Sequence, residues 1–232
     1  MEQKAYKLLH DAEGSWWYRG RTTVVRGILG HIKRDSMNML DFGAGFGGMY
    51  EVLAEHGTVF AYEPDTHARV TAQRKGYKVV FDDAGQAFSQ KYDLIGIFDV
   101  LEHIHDDLEC LENMQTALTK TGSLVITVPA MPFLWSTHDV SHHHFRRYTR
   151  TTLRRVLEEA GYAIEFISYW NMFLFTPTAL ARLLGHSGES SIRLSRAIDT
   201  MFYMVIFIEV FLMRFFPLPF GVSLVAVARK KT

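Results

Sequence analysis

A short glycine-rich segment places the strongest constraint on the fold of this chain. An apolar run that ends at Asp41 is followed by Gly43, Gly45 and Gly47. Glycine adopts positive φ at little cost and lets the backbone approach a ligand closely. Residues 47–56 are typical of a helix, whose free backbone N–H groups would face the same space. A strand, a glycine turn and a helix in this order are typical of a site for a nucleotide-like cofactor.

Apolar runs and helix-forming stretches alternate along the rest of the chain. The predicted strands cover residues 37–42, 58–63, 78–81, 92–99, 123–128, 164–168 and 222–228. The predicted helices cover residues 15–33, 47–56, 65–75, 106–120, 149–160, 171–184 and 192–216. Strands that are apolar throughout suit a parallel sheet buried on both faces. We therefore expect a doubly wound, Rossmann-like α/β fold with helices on both faces.

Composition limits the class of protein. A length of 232 residues with 48% hydrophobic residues suits one α/β domain with a sizeable core. The formal net charge of +0 gives no general attraction to nucleic acid, so no nucleic-acid partner is expected. The single cysteine, Cys110, excludes an internal disulfide and fits a cytoplasmic location.

Neither a signal peptide nor a membrane span is predicted. The first seven residues lack the apolar core of a signal peptide. The most apolar stretch, residues 201–216, is interrupted by Glu209 and Arg214 and is shorter than the roughly 20 residues that a span needs. Peripheral contact with a membrane stays open.

Two classes of cofactor use a glycine turn after the first strand. Gly43, Gly45 and Gly48 match the dinucleotide spacing, and Glu63, at the end of the second strand, could accept hydrogen bonds from ribose hydroxyls. These features fit a nicotinamide-dependent oxidoreductase. Asp41 points to another ligand, because a carboxylate beside the loop repels a pyrophosphate but favours an ammonium group. S-adenosylmethionine carries an ammonium group and no phosphates.

At this point the sequence resembles the class I S-adenosylmethionine-dependent methyltransferases. Their first motif, D-x-G-x-G-x-G, corresponds to residues 41–47. Residues 98–103 resemble the segment that lines the methyl-transfer pocket in the ubiquinone-pathway O-methyltransferases, within the type 11 and type 12 groups. The resemblance covers about residues 37–130. It implies a seven-stranded, mostly parallel sheet in the order 3-2-1-4-5-7-6, with the last strand antiparallel.

The resemblance also implies which residues hold the cofactor. Glu63 matches the ribose-binding acid, Asp83 lies where the adenine amine is expected, and Arg19 of the Trp-Trp-Tyr-Arg segment could pair with the cofactor carboxylate. The implied cofactor-binding residues are Asp41, Gly43, Ala44, Gly45, Gly47, Glu63, Pro64, Asp83, Ala84, Asp99, Val100, Trp17 and Arg19. The competing interpretation of Trp17 and Arg19 is ordinary helix packing with a solvated arginine.

Histidines follow the fourth and fifth strands, at the carboxyl edge where such sheets bind ligands. His103 lies after the fourth strand. Residues 135–149 resemble a subgroup motif, W-S-x-H-D followed by H-[YF]-R-R-Y-T. This motif places His138, Asp139, His144, Arg146, Arg147 and Tyr148 in the candidate site.

Several roles are open for these residues. Histidine is a common base near neutral pH, and we rank His144 before His103 for that role or for substrate contact. Arg146 and Arg147 could hold an anionic substrate group, with Tyr148 beside them. Alternatively, Asp139 and the arginines fix a loop over the pocket. His138 and His142 are spaced four residues apart, but the sequence contains no second compact Cys or His cluster, so no metal is expected.

The last third of the chain contains an apolar helical insert. We expect residues 1–170 and 218–232 to form the methyltransferase domain and residues 171–217 to form the insert. Helices this apolar cap a pocket, form a homodimer or contact lipid. The expected function is methyl transfer to a small molecule, chiefly to oxygen, with an apolar or lipid-linked acceptor as the sharper hypothesis. The alternatives are the oxidoreductase and a non-catalytic scaffold that binds the cofactor.

Overall fold

The computed structural model describes residues 14–32, 34, 36–183 and 195–231. Seven strands form one sheet in the order β3-β2-β1-β4-β5-β7-β6. They are β1 (Met37–Phe42), β2 (Gly57–Tyr62), β3 (Val80–Phe81), β4 (Tyr92–Phe98), β5 (Leu118–Pro129), β6 (Tyr162–Trp170) and β7 (Ser223–Lys230). β7 runs antiparallel to β5 and β6, whereas the pairs among β1 to β5 are parallel. The expected fold and strand order are confirmed.

The apolar strands are buried on both faces, as their composition predicts. In β4, Ile95 and Ile97 pack into one core cluster, while Leu94 and Phe98 pack into the cluster on the other face. Successive side chains of a strand point to opposite faces, so an uninterrupted apolar strand needs a layer of helices on each side.

Nine α-helices lie within the described residues. They are α1 (Trp16–Leu29), α2 (Tyr50–Ala54), α3 (Thr66–Ala72), α4 (Ala84–Phe88), α5 (Asp107–Ala117), α6 (Thr137–Ser141), α7 (Arg150–Glu159), α8 (Phe175–Leu183) and α9 (Arg196–Met213). Short 3-10 helices cover Leu101–His103 and Pro132–Leu134. The predicted linker at residues 185–191 and the chain start lie outside the described residues.

Several predicted boundaries differ from the observed ones, and two of the differences affect the elements around the glycine turn and β5. The helix after the glycine turn begins at Tyr50 rather than at residue 47, because Gly47 has a positive φ of 82° that a right-handed helix does not accept. The predicted helix over residues 106–120 ends at Ala117, and Leu118 is already extended and opens β5. The short helix α4, whose N-cap is Asp83, was not predicted from the sequence.

The last helix docks on the first one. A Cβ on Gly20 would lie 2.4 Å from Ile206 Cδ1, and a Cβ on Gly27 would lie 3.0 Å from Val210 Cγ1. The two glycines of α1 therefore let α9 approach closely. Glu209, buried on α9, accepts a hydrogen bond of 2.9 Å from the backbone N–H of Phe173, which ties the helix to the chain after β6.

α9 also exposes a row of large apolar side chains on the face opposite to its contact with α1. Met201, Met204, Ile208 and Phe211 are each at least half exposed, and they recur at helical spacing. Of the helices in the described part of the chain, none combines the length and the apolar character that crossing a membrane requires.

Candidate active site

The glycine turn after β1 is held by its neighbours in the sheet. Gly43, Gly45 and Gly47 all have positive φ, at 76°, 56° and 82°. The backbone N–H groups of Gly43 and Ala44 both donate to the carbonyl oxygen of Tyr62, over 2.9 and 3.0 Å. A side chain at two of these positions would be strained by its backbone conformation and by contact with its neighbours.

The three glycines differ in the space beside them. A Cβ on Gly43 would lie 2.6 Å from Val100 Cγ2, and a Cβ on Gly47 would lie 2.9 Å from Lys75 Cγ. Beside Gly45, no heavy atom lies within 4 Å of the equivalent position. The turn is therefore packed on two sides and open at Gly45, where a ligand can approach the backbone.

Glu63 lies directly against this opening. Its side chain is buried, and its Oε2 accepts a hydrogen bond of 2.7 Å from the backbone N–H of Gly45. Its Oε1 accepts one of 2.9 Å from the N–H of Asp65, just after Pro64. A carboxylate is a hydrogen-bond acceptor, which is the chemistry that ribose hydroxyls need from a partner. The structure thus brings Glu63 and the glycine turn together, while Asp83 caps α4 at Ala84.

Asp41 is buried under the turn and accepts a hydrogen bond of 2.5 Å from the Tyr77 hydroxyl. Burial raises the pKa of Asp41 to about 6, although the Tyr77 hydrogen bond and the charge of Arg21 oppose the increase. Tyr77 was not predicted as a site residue, because it comes from the chain between α3 and β3, which no motif covers.

Asp99 pairs with the N-terminal helix. Its backbone has a positive φ of 56°, and its Oδ2 accepts hydrogen bonds of 3.0 Å from Arg21 Nη1 and from Thr127 Oγ1. The Arg21 guanidinium also lies 5.0 Å from the centre of the Trp17 ring. Arg21 was missed at the sequence level, although it lies one helical turn after Trp17, on the face that packs against the sheet.

Arg19 has a different environment from the one we expected. It pairs with Asp199, whose other oxygen accepts a hydrogen bond of 2.8 Å from the backbone N–H of Trp16. Trp16 also meets Phe202 edge to face. Arg19 therefore faces α9, and Arg21 is the arginine that faces the ends of β4 and β5.

The predicted His and Arg segment folds around Asp139. This buried carboxylate accepts hydrogen bonds at Oδ1 from His144 Nδ1, over 2.9 Å, and from Arg147 Nε, over 2.7 Å. Its Oδ2 accepts one of 2.9 Å from the backbone N–H of Ser136. Burial favours the neutral acid, but the bonds from His144 and Arg147 hold the pKa of Asp139 below its usual range.

The ring of His103 meets that of His144 edge to face, with centroids 4.6 Å apart. Burial, together with the neighbouring His144 and His142, lowers the pKa of His103 to about 4. The histidines that follow the fourth and fifth predicted strands are therefore brought together, as we expected from their position at one sheet edge.

Glu102 completes this group and was missed at the sequence level. One of its carboxylate oxygens lies within 4.8 Å of ring nitrogens of His103 and His144. Burial, followed by the charge of Asp99, raises the pKa of Glu102 well above its usual range. Glu102 lies within residues 98–103, the segment that resembles the lining of the methyl-transfer pocket, but it was not singled out as a site residue.

The two arginines of the segment bind groups of the protein itself. Arg147 is buried and donates to the carbonyl oxygen of Ala130 over 3.1 Å in addition to Asp139. Arg146 donates to the carbonyl of His105, and both Arg146 and Tyr148 bind Asp107 over 2.7 Å. These bonds favour the loop-fixing alternative, while substrate contact by Arg146, Arg147 and Tyr148 stays a prediction.

His138 lies on α6 beside the same group. Its ring centre is 4.0 Å from that of His142 and 6.2 Å from that of His144. The sequence did not indicate a helix around His138. Ser136 and Asp139 stabilise the start of α6 by forming a capping box.

Solved structures resemble this chain closely in fold and distantly in sequence. An S-adenosylmethionine-dependent methyltransferase from Archaeoglobus fulgidus is 17% identical, with 97% of this chain and 100% of that one covered at a TM-score of 0.61. The plantazolicin methyltransferase BamL, solved with a triazolic desmethylPZN analog and SAH, is 13% identical, with coverages of 100% and 92% and a TM-score of 0.63. The cyclase SpnF is 13% identical, with coverages of 90% and 82% and a TM-score of 0.57. At such identities the similarity shows the fold alone.

The family is decided by sequence. Comparison with curated proteins finds no significant match. A family profile described as a methyltransferase domain matches residues 20–165, which include the glycine turn, Glu63, Asp99 and the histidine group. Because this profile spans more than half of the chain, the chain belongs to the methyltransferase-domain family, with the sheet of the S-adenosylmethionine-dependent class I methyltransferases.

Proposed function

We propose that this protein transfers a methyl group from S-adenosylmethionine to a hydroxyl oxygen of a small molecule with an apolar part. The observation that supports this most directly is the position of His103 and His144. His103 follows Asp99 and Val100 along the chain and its ring meets that of His144, while Val100 packs against Gly43 of the glycine turn. Candidate groups for the acceptor and for the methyl donor therefore adjoin at one edge of the sheet.

The residues at the glycine turn fit the cofactor. The cofactor can approach the backbone at the open side of Gly45. Glu63 would accept hydrogen bonds from the ribose hydroxyls, and Asp41 would pair with the ammonium group. Trp17 lies over Arg21 at the far side of Asp99. We assign cofactor contacts to Asp41, Gly43, Ala44, Gly45, Gly47, Glu63, Pro64, Asp83, Ala84, Asp99, Val100 and Trp17, with Arg21 in the place we first gave to Arg19.

When bound, S-adenosylmethionine supplies an electrophilic methyl group on sulfur. The oxygen lone pair of the acceptor forms the new C–O bond, the C–S bond breaks to leave a neutral thioether, and the hydroxyl proton must leave. Alignment of oxygen, methyl and sulfur is most of the catalytic task. We assign activation of the hydroxyl to His144, whose ring is oriented by Asp139, and to His103.

The exposed apolar side chains of α9 support an apolar or lipid-linked acceptor. They continue beyond the helix in Phe215, Phe216 and Phe220, each at least 41% exposed. Monomeric proteins rarely expose so large an apolar patch without a partner. We place the reaction in the cytoplasm, consistent with the single Cys110, and at a lipid surface. The competing explanation of the exposed apolar residues is a homodimer formed through them.

Radiolabelled methyl transfer to a panel of phenols, hydroxy acids and polyprenyl-linked alcohols tests the proposal. We expect labelling of an apolar hydroxyl compound and its loss in His144→Asn, with His143→Asn as the matched control, because His143 is exposed and has no assigned role. Labelling of amines alone would contradict oxygen transfer. Binding of S-adenosylhomocysteine without turnover on any acceptor would favour the non-catalytic scaffold.

A further inference from the structure

The side chains of Glu102, His103 and His144 converge near the candidate acceptor site. Each offers one oxygen or nitrogen, and these three atoms lie within 4.8 Å of one another. Protein ligands bind first-row metal ions at about 2.0–2.2 Å, which places ligand atoms about 3–4 Å apart around the ion. Small side-chain rotations therefore suffice to close this group around an ion.

Glu102 carries the strongest indication that a ligand belongs here. The residue is 1% exposed, and its Oε2 has no hydrogen-bond partner among the described residues. A buried carboxylate without a partner is costly, and one that coordinates a cation is not. The short helix Leu101–His103 fixes this side chain, and the backbone carbonyl of Glu102 binds the N–H of Phe145 over 2.7 Å.

His144 is oriented in the way that metal-binding histidines are. Its Nδ1 is hydrogen-bonded to Asp139, which makes Nε2 the ring nitrogen that would bind an ion. Carboxylate partners of this kind fix the tautomer and the ring direction of metal ligands. Arg147 and Ser136 hydrogen-bond to Asp139 in turn, so the residue that orients His144 is itself held in place.

We propose that Glu102, His103 and His144 form a site for a divalent first-row transition ion. Two imidazoles and one carboxylate suit Zn²⁺ and its neighbours in the series, and three protein ligands leave an open position for another oxygen. His138 and His142, the pair that the sequence suggested, lie beside this site and not in it. This proposal departs from our expectation that the protein binds no metal.

The open position would take the hydroxyl oxygen of the acceptor. A bound ion would lower the pKa of the coordinated hydroxyl, so that its proton passes to solvent water, and would fix the oxygen in place for the in-line displacement. This role rests on the proposed function, and in it the two histidines act on the hydroxyl as ligands. The ion-binding site itself depends only on the three side chains.

Titration of the chelator-treated, tag-free protein with Zn²⁺, followed by calorimetry, tests the site directly. We expect one tightly bound equivalent, and Co²⁺ in the same site should give visible d–d absorption. Glu102→Gln and His144→Asn should each weaken Zn²⁺ binding about tenfold or more. The matched controls are Glu109→Gln and His143→Asn, two exposed neighbours that should bind Zn²⁺ as the unaltered protein does.

Loss of Zn²⁺ binding in the controls, or its retention in Glu102→Gln, would overturn the site. Affinity for S-adenosylhomocysteine, measured on the same samples, separates a misfolded variant from one that lacks a ligand. Intact S-adenosylhomocysteine binding without Zn²⁺ binding would refute only the metal site. Zn²⁺ binding without methyl transfer to any acceptor would refute the proposed function and leave the metal site standing.

Discussion

Asp139 and His144 form a buried pair in which the Oδ1 carboxylate oxygen lies 2.9 Å from Nδ1 of the ring. The same oxygen binds Arg147, so one carboxylate orients a candidate active-site ring and neutralises a buried guanidinium. This shared oxygen links the stability of the loop after β5 to the geometry of the site.

Replacing Asp139 should therefore affect both properties. In Asp139→Asn, Arg147 stays buried without its counter-charge, and we expect the free energy of unfolding in urea to fall by about 3 kcal/mol. Methyl transfer should fall about ten- to a hundredfold, because the His144 ring loses its orientation. Asp82→Asn removes an exposed carboxylate that pairs with Arg69 and should change stability by less than about 0.5 kcal/mol. Equal effects of the two changes would contradict this role of Asp139.

Asp41 should make stability depend on pH. Its pKa rises from 3.8 to about 6 in the folded state through burial, with Glu63 adding to the increase and Tyr77 and Arg21 opposing it. Between these two pH values the folded protein keeps a proton that the unfolded chain has released. The stabilisation is complete below about pH 4 and is lost as the pH rises through about 6, by about 3 kcal/mol.

Asp41→Asn removes the titrating carboxyl, so the unaltered protein can be compared with a variant that lacks this pH dependence. Urea unfolding at several pH values should show a free-energy difference between the two proteins that changes between pH 4 and 6 and is flat above. S-adenosylhomocysteine should bind the unaltered protein more tightly as the pH rises through about 6, because its ammonium group pairs with the ionised Asp41. A pH-independent difference in unfolding free energy would contradict the raised pKa.

The glycine turn offers a matched pair of substitutions. Gly43→Ala adds a Cβ 2.6 Å from Val100 at a position with positive φ, and we expect a loss of about 1–3 kcal/mol in the free energy of unfolding. Gly45→Ala has the same backbone penalty and no close neighbour, so it should cost only about 1 kcal/mol.

The two variants should differ in the opposite sense in cofactor binding. Gly43→Ala should lose more stability, and Gly45→Ala should lose more affinity for the cofactor. Calorimetry should show that Gly45→Ala weakens S-adenosylhomocysteine binding strongly, because its Cβ fills the space where the ligand approaches the backbone. If Gly45→Ala bound this ligand as tightly as the unaltered protein, the open side of Gly45 would not be the cofactor site.

The apolar face of α9 predicts attachment to lipid. Sedimentation with liposomes of neutral and anionic phospholipids should capture the unaltered protein, whereas Phe207→Asp combined with Phe211→Asp should stay in solution. Val70→Asp places a charge at another exposed apolar residue, on α3, and should sediment normally. Failure of the unaltered protein to sediment, with dissociation of a dimer in the double variant, would favour the homodimer.

The sheet could be predicted from the sequence because its signals are local. Apolar runs such as residues 92–98 mark buried strands, and the resemblance at residues 41–47 supplied their order. The start of α2 was wrong because residue-level helix preference says nothing about the positive φ that Gly47 adopts. The presence of a strand can thus be predicted from the sequence more reliably than the residues at which a helix or strand begins and ends.

The site was predictable where a motif covers it and not where tertiary contacts build it. Glu63 and His144 belong to recognisable segments and meet their expected neighbours. Tyr77 comes from a segment that no motif covers, whereas Glu102 and Arg21 lie in recognised segments in which the sequence does not indicate that these particular side chains reach the site. Arg19 and Arg21 share one motif, and only the docking of α9 decides which of them faces the sheet.

Calorimetry with S-adenosylhomocysteine and with NAD tests the central claim most directly. We predict that S-adenosylhomocysteine binds one equivalent, that Glu63→Gln weakens this binding, and that the exposed Glu112→Gln does not. NAD should give no heat of binding. Binding of NAD without binding of S-adenosylhomocysteine would contradict the assignment of the glycine turn to a methyl donor.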